Sequence, residues 1–413
     1  MSDNTTRRTT IGGKSLEQLR DHYRRYLFEE YLPFWDRHGI DHEHGGFMCT
    51  LDHDGTRLND DKSMWYQGRG LWVYSFLYRH FGGEEHLQVA TGARDFLLRH
   101  GRDGNGDWVQ VLERDGRIRP PGVRRGYAGL FVAEGLQAYA RAAGDDEAMA
   151  VALDSLERSL AMLDDPERDI DEGYPPISYP GMRTLGQHMV LILTLTQLLE
   201  QLSTPRLLEL TDRVVDAIME RFWNPEYRLT NEALDRDYNR PDDENEDFIY
   251  LGHAIETHWM MLAEALRRGD RELFERVAER FRRHLEVAWD DVYGGLFRGM
   301  NVHGQFIFDK VMWAQEEGMI GCMILCEHTD WEWPSIWFGR LFDYVEEKFA
   351  LRRHGYPLYM SGGNRKVTYQ PHVGRKENYH HPRCVMRNLL AVERLLNNGG
   401  RIDAPWSDRD DTG

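Results

Sequence analysis

The stretch Tyr293-Gly294-Gly295-Leu296-Phe297, followed by His303-Gly304 and the segment 310–328, contains the unit from which the chain is built. A Gly-rich pair beside aromatic residues is typical of a β-hairpin, and apolar residues at i, i+3, i+4 and i+7 predict the helix that follows. Similar stretches recur roughly every 50–70 residues, beginning at Gly45-Gly46-Phe47, Asn105-Gly106-Asp107-Trp108, Glu172-Gly173-Tyr174, Trp223-Asn224-Pro225 and His354-Gly355-Tyr356. A period of this length indicates a repeated supersecondary unit.

Helical periodicity marks twelve segments, which are 16–31, 67–81, 85–99, 127–143, 145–163, 187–202, 205–222, 251–268, 271–287, 310–328, 333–349 and 381–396. Segment 187–202 is apolar on nearly every side, which predicts burial on both sides. Six helix pairs joined by hairpins predict an all-α fold, the six-fold α/α barrel, with an inner and an outer ring of helices. An open solenoid of helix pairs is the alternative, and six repeats with hairpins at one side of each pair favour closure.

The chain has no linker rich in Pro, Ser or Gly, so residues 15–398 are predicted to form one catalytic domain. Residues 1–14 and 399–413 are predicted to be flexible termini. The net charge of −18 argues against nucleic-acid binding, and no run of 18 apolar residues suggests a membrane span. Four sparse cysteines do not form a disulfide framework, and Cys322 and Cys326 are expected to be buried thiols. A cytoplasmic protein is expected.

Two histidine motifs are the best candidates for chemistry. His253 precedes Glu256 by three residues and Trp259 by six, which places all three on one helix face. Pro382 fits the first turn of a helix, so His380 is expected at the cap or loop just before that helix, where the helix amino end keeps imidazole neutral. Two such groups facing one pocket could move a proton between the faces of one carbon. For each motif alone, a capping or loop histidine is the competing interpretation.

Other candidate site residues are polar or aromatic side chains within apolar helices. Arg69 needs a carboxylate or an anionic ligand oxygen as partner if it is buried. His188 begins the most apolar helix and is expected to face the barrel axis, the only polar place for it. Trp313 and Glu317 share one helical region. Tryptophan faces stack on sugars while carboxylates and Arg bind hydroxyls, so a sugar site is predicted.

Metal and cofactor sites have no matching motif. The chain contains no His-Glu-x-x-His run and no Cys-x-x-Cys pair, and no Gly-x-Gly-x-x-Gly or Walker loop. We therefore predict no metal and no cofactor.

Four motifs make the chain similar to the N-acylglucosamine 2-epimerase family, whose relatives include cellobiose 2-epimerases and mannose or sulfoquinovose aldose–ketose isomerases. The motifs are Trp65-x-Gln67-Gly68-Arg69-x-x-Trp72, Gly252-His253-x-x-Glu256-x-x-Trp259, Trp313-x-Gln315-x-Glu317 and Tyr379-His380-x-Pro382-Arg383. The resemblance spans roughly residues 20–396. It implies a six-fold α/α barrel, the same fold that the repeat count predicts.

The resemblance also implies roles. His253 and His380 would be the acid/base pair, and Arg69 would hold the oxygen that becomes negative in an enediolate. The remaining residues are expected to orient a histidine or contact the substrate, and they are His188, Glu256, Glu317, Tyr127, Trp313, Trp259, Gln67 and Arg383. His188 matches a histidine of the isomerase and cellobiose branches.

The predicted function is epimerisation at C2 of a free reducing monosaccharide or disaccharide. Aldose–ketose isomerisation by the same residues is the first alternative. A glycoside or unsaturated glucuronyl hydrolase on the same barrel is the second, with Asp107, Asp169, Asp171 and Glu172 as candidate acids. A non-catalytic sugar-binding barrel is the third. The resemblance leaves a homodimer open.

Overall fold

The computed structural model describes residues 7–120, 126–167, 176, 178–362, 366–369, 376, 378–403 and 406. Helix Leu16–Arg25 (α1) continues through a π-helical segment, Tyr26–Tyr31, into Leu32–His38 (α2). The other helices are Met64–Phe81 (α3), Glu84–His100 (α4), Gly126–Ala143 (α5), Asp146–Asp164 (α6), Leu185–Leu199 (α7), Pro205–Asp216 (α8), Leu251–Arg268 (α9), Arg271–Ala288 (α10), Met312–His328 (α11), Glu332–Lys348 (α12) and His380–Asn397 (α13). A second π-helical segment, Ala217–Arg221, extends α8.

The helices form a closed double ring. In the inner ring α3, α5, α7, α9, α11 and α13 contact one another in this order, and α13 contacts α3. Each inner helix also packs against one outer element: α4, α6, α8, α10, α12 and, for α13, α1. The contact between α13 and α3 closes the ring, so the predicted α/α barrel is confirmed and the open solenoid is excluded.

Burial explains the two kinds of helix sequence. The inner helix α7 is buried along nearly its whole length because it lies between the axis and the outer ring. The outer helix α8 buries one stripe, including Leu207, Leu210 and Val214, and exposes the rest. Cys322 and Cys326 are buried thiols on α11, as predicted. No helix within the described residues combines the length and apolar character needed to cross a bilayer.

Short strands join neighbouring repeats at the end of the barrel where the inner helices begin. Two predicted hairpins form: Trp223–Asn224 pairs with Leu229–Thr230, and Gly299–Asn301 pairs with Gln305–Ile307 around the predicted His303-Gly304 turn. The sequence did not reveal three longer-range antiparallel pairs, which are Lys62–Ser63 with Val111–Leu112, Arg183–Thr184 with Ala233–Leu234, and Phe248–Ile249 with Gly299–Asn301. The predicted hairpin at Glu172-Gly173-Tyr174 lies outside the described residues.

The helix Leu32–His38 was not predicted because Pro33 breaks a regular helix by removing one backbone donor. The π-helical segment before it changes the hydrogen-bond spacing, and Leu32 N–H donates to the Leu27 carbonyl five residues earlier. This wider turn lets the helix continue through the proline.

Residues 7–14, part of the segment predicted to be flexible, make several contacts with the barrel. The guanidinium of Arg8 donates to the carbonyl oxygens of Cys326, Thr329 and Trp331 at 2.9–3.0 Å. The strands Thr10–Ile11 and Lys14–Ser15 pair, and Ile11 is fully buried. The C-terminal segment is attached as well, since Arg8 N–H donates to the Gly400 carbonyl. Polar composition concealed these contacts because they are made mainly by backbone groups.

The closest contact between inner helices depends on glycine. A Cβ on Gly68 of α3 would lie 2.4 Å from the Phe131 carbonyl oxygen of α5, and a Cβ on Gly135 would lie 2.4 Å from the Gly68 oxygen. The two helices can approach this closely because both positions lack a side chain.

We expect Gly68→Ala to lower the free energy of unfolding by about 1–3 kcal/mol, because the added methyl group forces two backbones apart. Urea denaturation followed by circular dichroism measures it. Gly92→Ala is the matched control, since its Cβ would have no neighbour within 4 Å on helix α4. It should stabilise the protein by about 0.5–1 kcal/mol through helix propensity. Equal effects of the two substitutions would contradict the packing argument.

Candidate active site

The predicted chemical residues gather where the inner helices begin. His253 lies in the first turn of α9, Trp313 in the first turn of α11 and Tyr127 in the first turn of α5. His380 is the first residue of α13, one position inside the helix rather than before it as predicted. Because these helices are neighbours in one ring, their amino ends surround a common mouth.

Both candidate histidines pack beside one indole. The ring centroid of Trp313 is 5.8 Å from that of His253 and 5.2 Å from that of His380. Gly252 permits this arrangement, since a Cβ there would lie 2.6 Å from the Trp313 ring. Trp313 therefore links the two imidazoles, because its ring packs beside both of them.

Each imidazole is held through Nδ1 by a buried carboxylate. His380 Nδ1 lies 2.8 Å from Glu317 Oε1, and His253 Nδ1 lies 3.1 Å from Glu232 Oε1. Glu232 also accepts a hydrogen bond from the Gly186 N–H at 3.3 Å. A carboxylate on one ring nitrogen fixes the orientation of the ring and stabilises imidazolium.

Glu232 was not predicted as a site residue, because the polar composition of residues 229–234 gives no sign of burial. In the structure Glu232 is fully buried. A carboxylate in such a position needs a polar partner inside the protein. Glu134 did carry a signal in the sequence, because it stands alone among apolar residues in the middle of α5. It accepts a hydrogen bond from the Tyr379 hydroxyl at 2.6 Å, and burial raises its pKa.

The Arg383 guanidinium contacts His380 and two buried carboxylates. One terminal nitrogen, Nη2, lies 2.5 Å from Glu256 Oε1, 2.7 Å from Glu317 Oε1 and 3.1 Å from His380 Nδ1. Burial alone would lower the pKa of Arg383, but the carboxylates of Glu317 and Glu256 outweigh it and raise the pKa well above its usual value. Arg383 therefore neutralises two buried carboxylates and orients them.

The same cluster is where a metal would be sought. Donor atoms of Glu256, Glu317 and His380 lie within 4.8 Å of one another. The Nη2 atom of Arg383 is within 3.1 Å of all three, so a cation already fills the position that these donors surround. The donor set does not fit a metal while Arg383 is in place.

Arg69 lies in an aromatic enclosure. Its guanidinium carbon is 4.2 Å from the ring centroid of Phe131, 4.7 Å from Tyr379 and 5.0 Å from Trp65. Tyr127 packs against Trp65 with ring centroids 4.9 Å apart. Arg69 is 3% exposed, so its charge acts in surroundings of low polarity, where electrostatic interactions are strong. Trp65 and Trp313 are only partly buried, which suits them to stack on a sugar.

Two predicted substrate contacts have other roles. Trp259 is fully buried, and its Nε1 donates to Glu317 Oε2 at 2.5 Å, so it supports the carboxylate of His380 rather than facing a ligand. The Gln67 amide is bonded to the backbone N–H and carbonyl of Phe47, both at 2.8 Å. Gln315 binds the backbone of Leu296 in the same way. Gln67 and Gln315 thus make the same contact in two repeats: a side-chain amide on an inner helix is hydrogen-bonded to the backbone of a loop.

His188 does not lie in the site. Its Nδ1 is 2.9 Å from the Thr184 carbonyl oxygen and its Nε2 is 3.1 Å from the Tyr238 hydroxyl. The ring contacts Phe222 and lines a cavity together with Leu160 of α6 and Leu210 of α8, on the outer side of α7. His188 was predicted to face the axis because no other polar surroundings were expected for its ring. The Thr184 carbonyl and the Tyr238 hydroxyl provide hydrogen-bond partners on the outer side instead. Burial lowers the pKa of His188 to about 4.

Known proteins that resemble this chain are sugar epimerases and a sugar isomerase. A family model described as N-acylglucosamine 2-epimerase matches residues 45–384. The N-acylglucosamine 2-epimerase of Bos taurus is 27% identical over 417 residues, covering 93% of this chain and 93% of that protein. The structure of cellobiose 2-epimerase from Bacillus thermoamylovorans aligns with a TM-score of 0.78 and 21% identity, covering 92% of this chain and 100% of the other. A D-mannose isomerase structure aligns with a TM-score of 0.73 and 16% identity, covering 92% and 97%.

Proposed function

Because the chain belongs to the N-acylglucosamine 2-epimerase family, whose members are sugar-epimerising isomerases, we propose that it inverts C2 of a free reducing sugar through His253 and His380. The observation that supports this most strongly is the pair of carboxylate-held imidazoles beside Trp313. An open-chain sugar lying against that indole would place C2 between the two imidazoles.

The proposed reaction begins with the open-chain aldehyde. One histidine removes the proton from C2, the electron pair forms a C1=C2 double bond, and the carbonyl oxygen becomes negatively charged. The other histidine, protonated, then gives its proton to the opposite face of C2 while the carbonyl re-forms. Since Glu317 and Glu232 engage Nδ1 of the two rings, we assign proton transfer to Nε2 in both.

Arg69 is assigned to the oxygen that becomes negative. A fixed guanidinium in an aromatic enclosure needs little reorganisation as the enediolate forms, and a comparable donor contributes roughly 3 kcal/mol. Arg383 and Trp259 are assigned a positioning role, because both donate hydrogen bonds to Glu317, which holds His380. Glu256 in turn accepts a hydrogen bond from Arg383. Well-placed acid/base groups contribute about 10²–10⁴-fold each.

Isomerisation to a ketose is the second candidate, because protonation of the same intermediate at C1 yields it. The D-mannose isomerase structure shares the fold. Epimerisation is favoured by two observations. The Bos taurus epimerase is similar over nearly the whole chain. His188, the residue that resembled the isomerase and cellobiose branches, faces away from the site.

Hydrolysis has less support. Asp107 lies 3.6 Å from Arg158 on the outer helix α6. Glu256 and Glu317 are engaged by Arg383 and are not placed as a pair flanking a scissile bond. The other candidate acids, Asp169, Asp171 and Glu172, lie outside the described residues.

Product analysis distinguishes these functions. The purified protein is incubated separately with N-acetylmannosamine, mannose, glucose and cellobiose, and the products are identified by NMR. We expect the C2 epimer of at least one sugar, with the N-acetylated sugar as the first choice. Ketose without an epimer would favour isomerisation. Unchanged reducing sugars together with cleaved cellobiose would overturn the proposal in favour of hydrolysis.

A further inference from the structure

A second cavity lies on the barrel axis at the end opposite the two histidines. It is lined by the carboxyl-terminal halves of α3, α5, α7, α11 and α13, and its volume is about 270 Å³. One water needs only about 10–15 Å³ measured in this way, so the cavity has room for a small organic ligand. Arg69, His253 and His380 do not line it.

The cavity is positively charged in a protein whose net charge is −18. Its charged side chains are Arg79, Arg141, Arg387, Arg394, Glu200 and Glu327. Arg141 is bonded to Glu200 at 2.6 Å, and Arg394 to Glu327 at 2.5 Å. Within the described part of the chain, Arg79 and Arg387 have no carboxylate in ion-pair distance, so the wall carries an excess of two positive charges.

Neighbouring groups show the effect of this charge. Burial and, after it, the four arginines of the cavity together lower the pKa of His80 to about 4. Burial, together with Arg383, lowers the pKa of Arg387 to about 10, so Arg387 remains a cation at neutral pH. A half-buried cation without a neighbouring carboxylate favours the approach of an anion.

Buried hydrogen-bond donors point to the same place. Among the described residues, Arg387 Nε, Gln197 Nε2 and Ser75 Oγ are buried without a hydrogen-bond partner, and all three residues line the cavity. The Gln197 oxygen accepts from Trp72 Nε1 at 2.9 Å and from Gln137 Nε2 at 2.6 Å, so its amide nitrogen is the group left to donate. Buried donors in proteins are nearly always satisfied.

We propose that this cavity binds an oxyanion of the phosphate class, either free or as the charged group of a small phosphate monoester, with Arg387 and Arg79 as its main ligands. Planar guanidinium groups match phosphate oxygens in geometry and charge. Trp259 separates this site from the candidate active site, since its ring lies 4.9 Å from the guanidinium carbon of Arg387 and 5.1 Å from that of Arg383.

Isothermal titration calorimetry of the full chain tests the proposal, with inorganic phosphate and glycerol 3-phosphate as separate ligands at constant ionic strength set by NaCl. We expect saturable binding of at least one of them. Binding of both indicates a site for the free oxyanion, and binding of glycerol 3-phosphate alone indicates a monoester site. Binding of neither overturns the proposal.

Variants locate the site. Arg387→Met should weaken binding by about tenfold or more, because a hydrogen-bonded charge contributes about 1.5–3 kcal/mol. Arg79→Met, at the exposed rim, should also weaken it and decides the question if Arg387→Met does not fold. Arg282→Met is the control: it removes a surface arginine paired with Glu286 and should bind like the wild type.

Unchanged binding in Arg79→Met and in any folded Arg387 variant would overturn the proposal. The ligand would then bind elsewhere, for example at Arg69. The readout does not depend on epimerase activity.

Discussion

Replacing His380 by alanine should lower kcat/KM for C2 inversion by about 10²–10⁴-fold, because the variant has lost one of its two proton-transfer groups. His253→Ala should have an effect of similar size. The double variant should lose little more than the worse single variant, since the two groups serve one reaction path. Initial rates of epimer formation measure the effect, and circular dichroism checks that each variant is folded.

His188→Ala is the matched control for these two variants. Its ring is also buried, but it bonds Thr184 and Tyr238 on the outer side of α7. We expect its kcat/KM to stay within a few fold of the wild type even if its thermal stability falls. The assignment of the active site would be contradicted if His188→Ala lost activity while His253→Ala and His380→Ala kept it. The cavity lined by His188 would then be the better candidate for the active site.

Replacing Arg383 by methionine should lower the free energy of unfolding by about 3–5 kcal/mol. The fully buried guanidinium neutralises Glu256 and Glu317, and methionine would leave two buried carboxylates close together without a counterion. Chemical denaturation at neutral pH measures the loss. Adding Glu256→Gln to the variant should recover part of it, because one of the two charges is then removed.

Arg267→Met provides the comparison. Glu264 is also fully buried, but it is bonded by both Arg267 and Arg268, so it keeps one cation when Arg267 is lost. We expect a smaller loss of stability there than at Arg383. If the two arginine variants lose equal stability, or if Glu256→Gln makes Arg383→Met worse, the description of Arg383 as the shared counterion is wrong.

The architecture could be predicted because periodicity reports burial. All twelve predicted helical segments occur, and the pairing of each inner helix with an outer one follows their order. The missed helix Leu32–His38 depends on a change in hydrogen-bond spacing that leaves no apolar pattern. The order of residues 7–14 depends on the backbone carbonyls that Arg8 binds, which a sequence does not display.

The site could be predicted only in part, because sequence indicates which polar residues are buried but not which way they face. His253, His380 and Arg69 lie near the amino ends of inner helices, and their catalytic roles stay predictions. His188 and Gln67 looked equally suitable, yet each is bonded to backbone groups outside the pocket. Glu232 lies between two short strands, 21 residues before His253, and no helical spacing connects the two.

The central claim is that two different imidazoles act on opposite faces of C2. Its most direct measurement is the isotope content of the first product formed in deuterated water, observed by NMR or mass spectrometry before much substrate is consumed. If one histidine removes the proton and the other, exchanged with solvent, donates its own, nearly every new epimer should carry deuterium at C2 while the remaining substrate is still protiated. A product that keeps its original hydrogen at C2 would mean that one group carries the proton between the faces, and the two-histidine mechanism would be wrong.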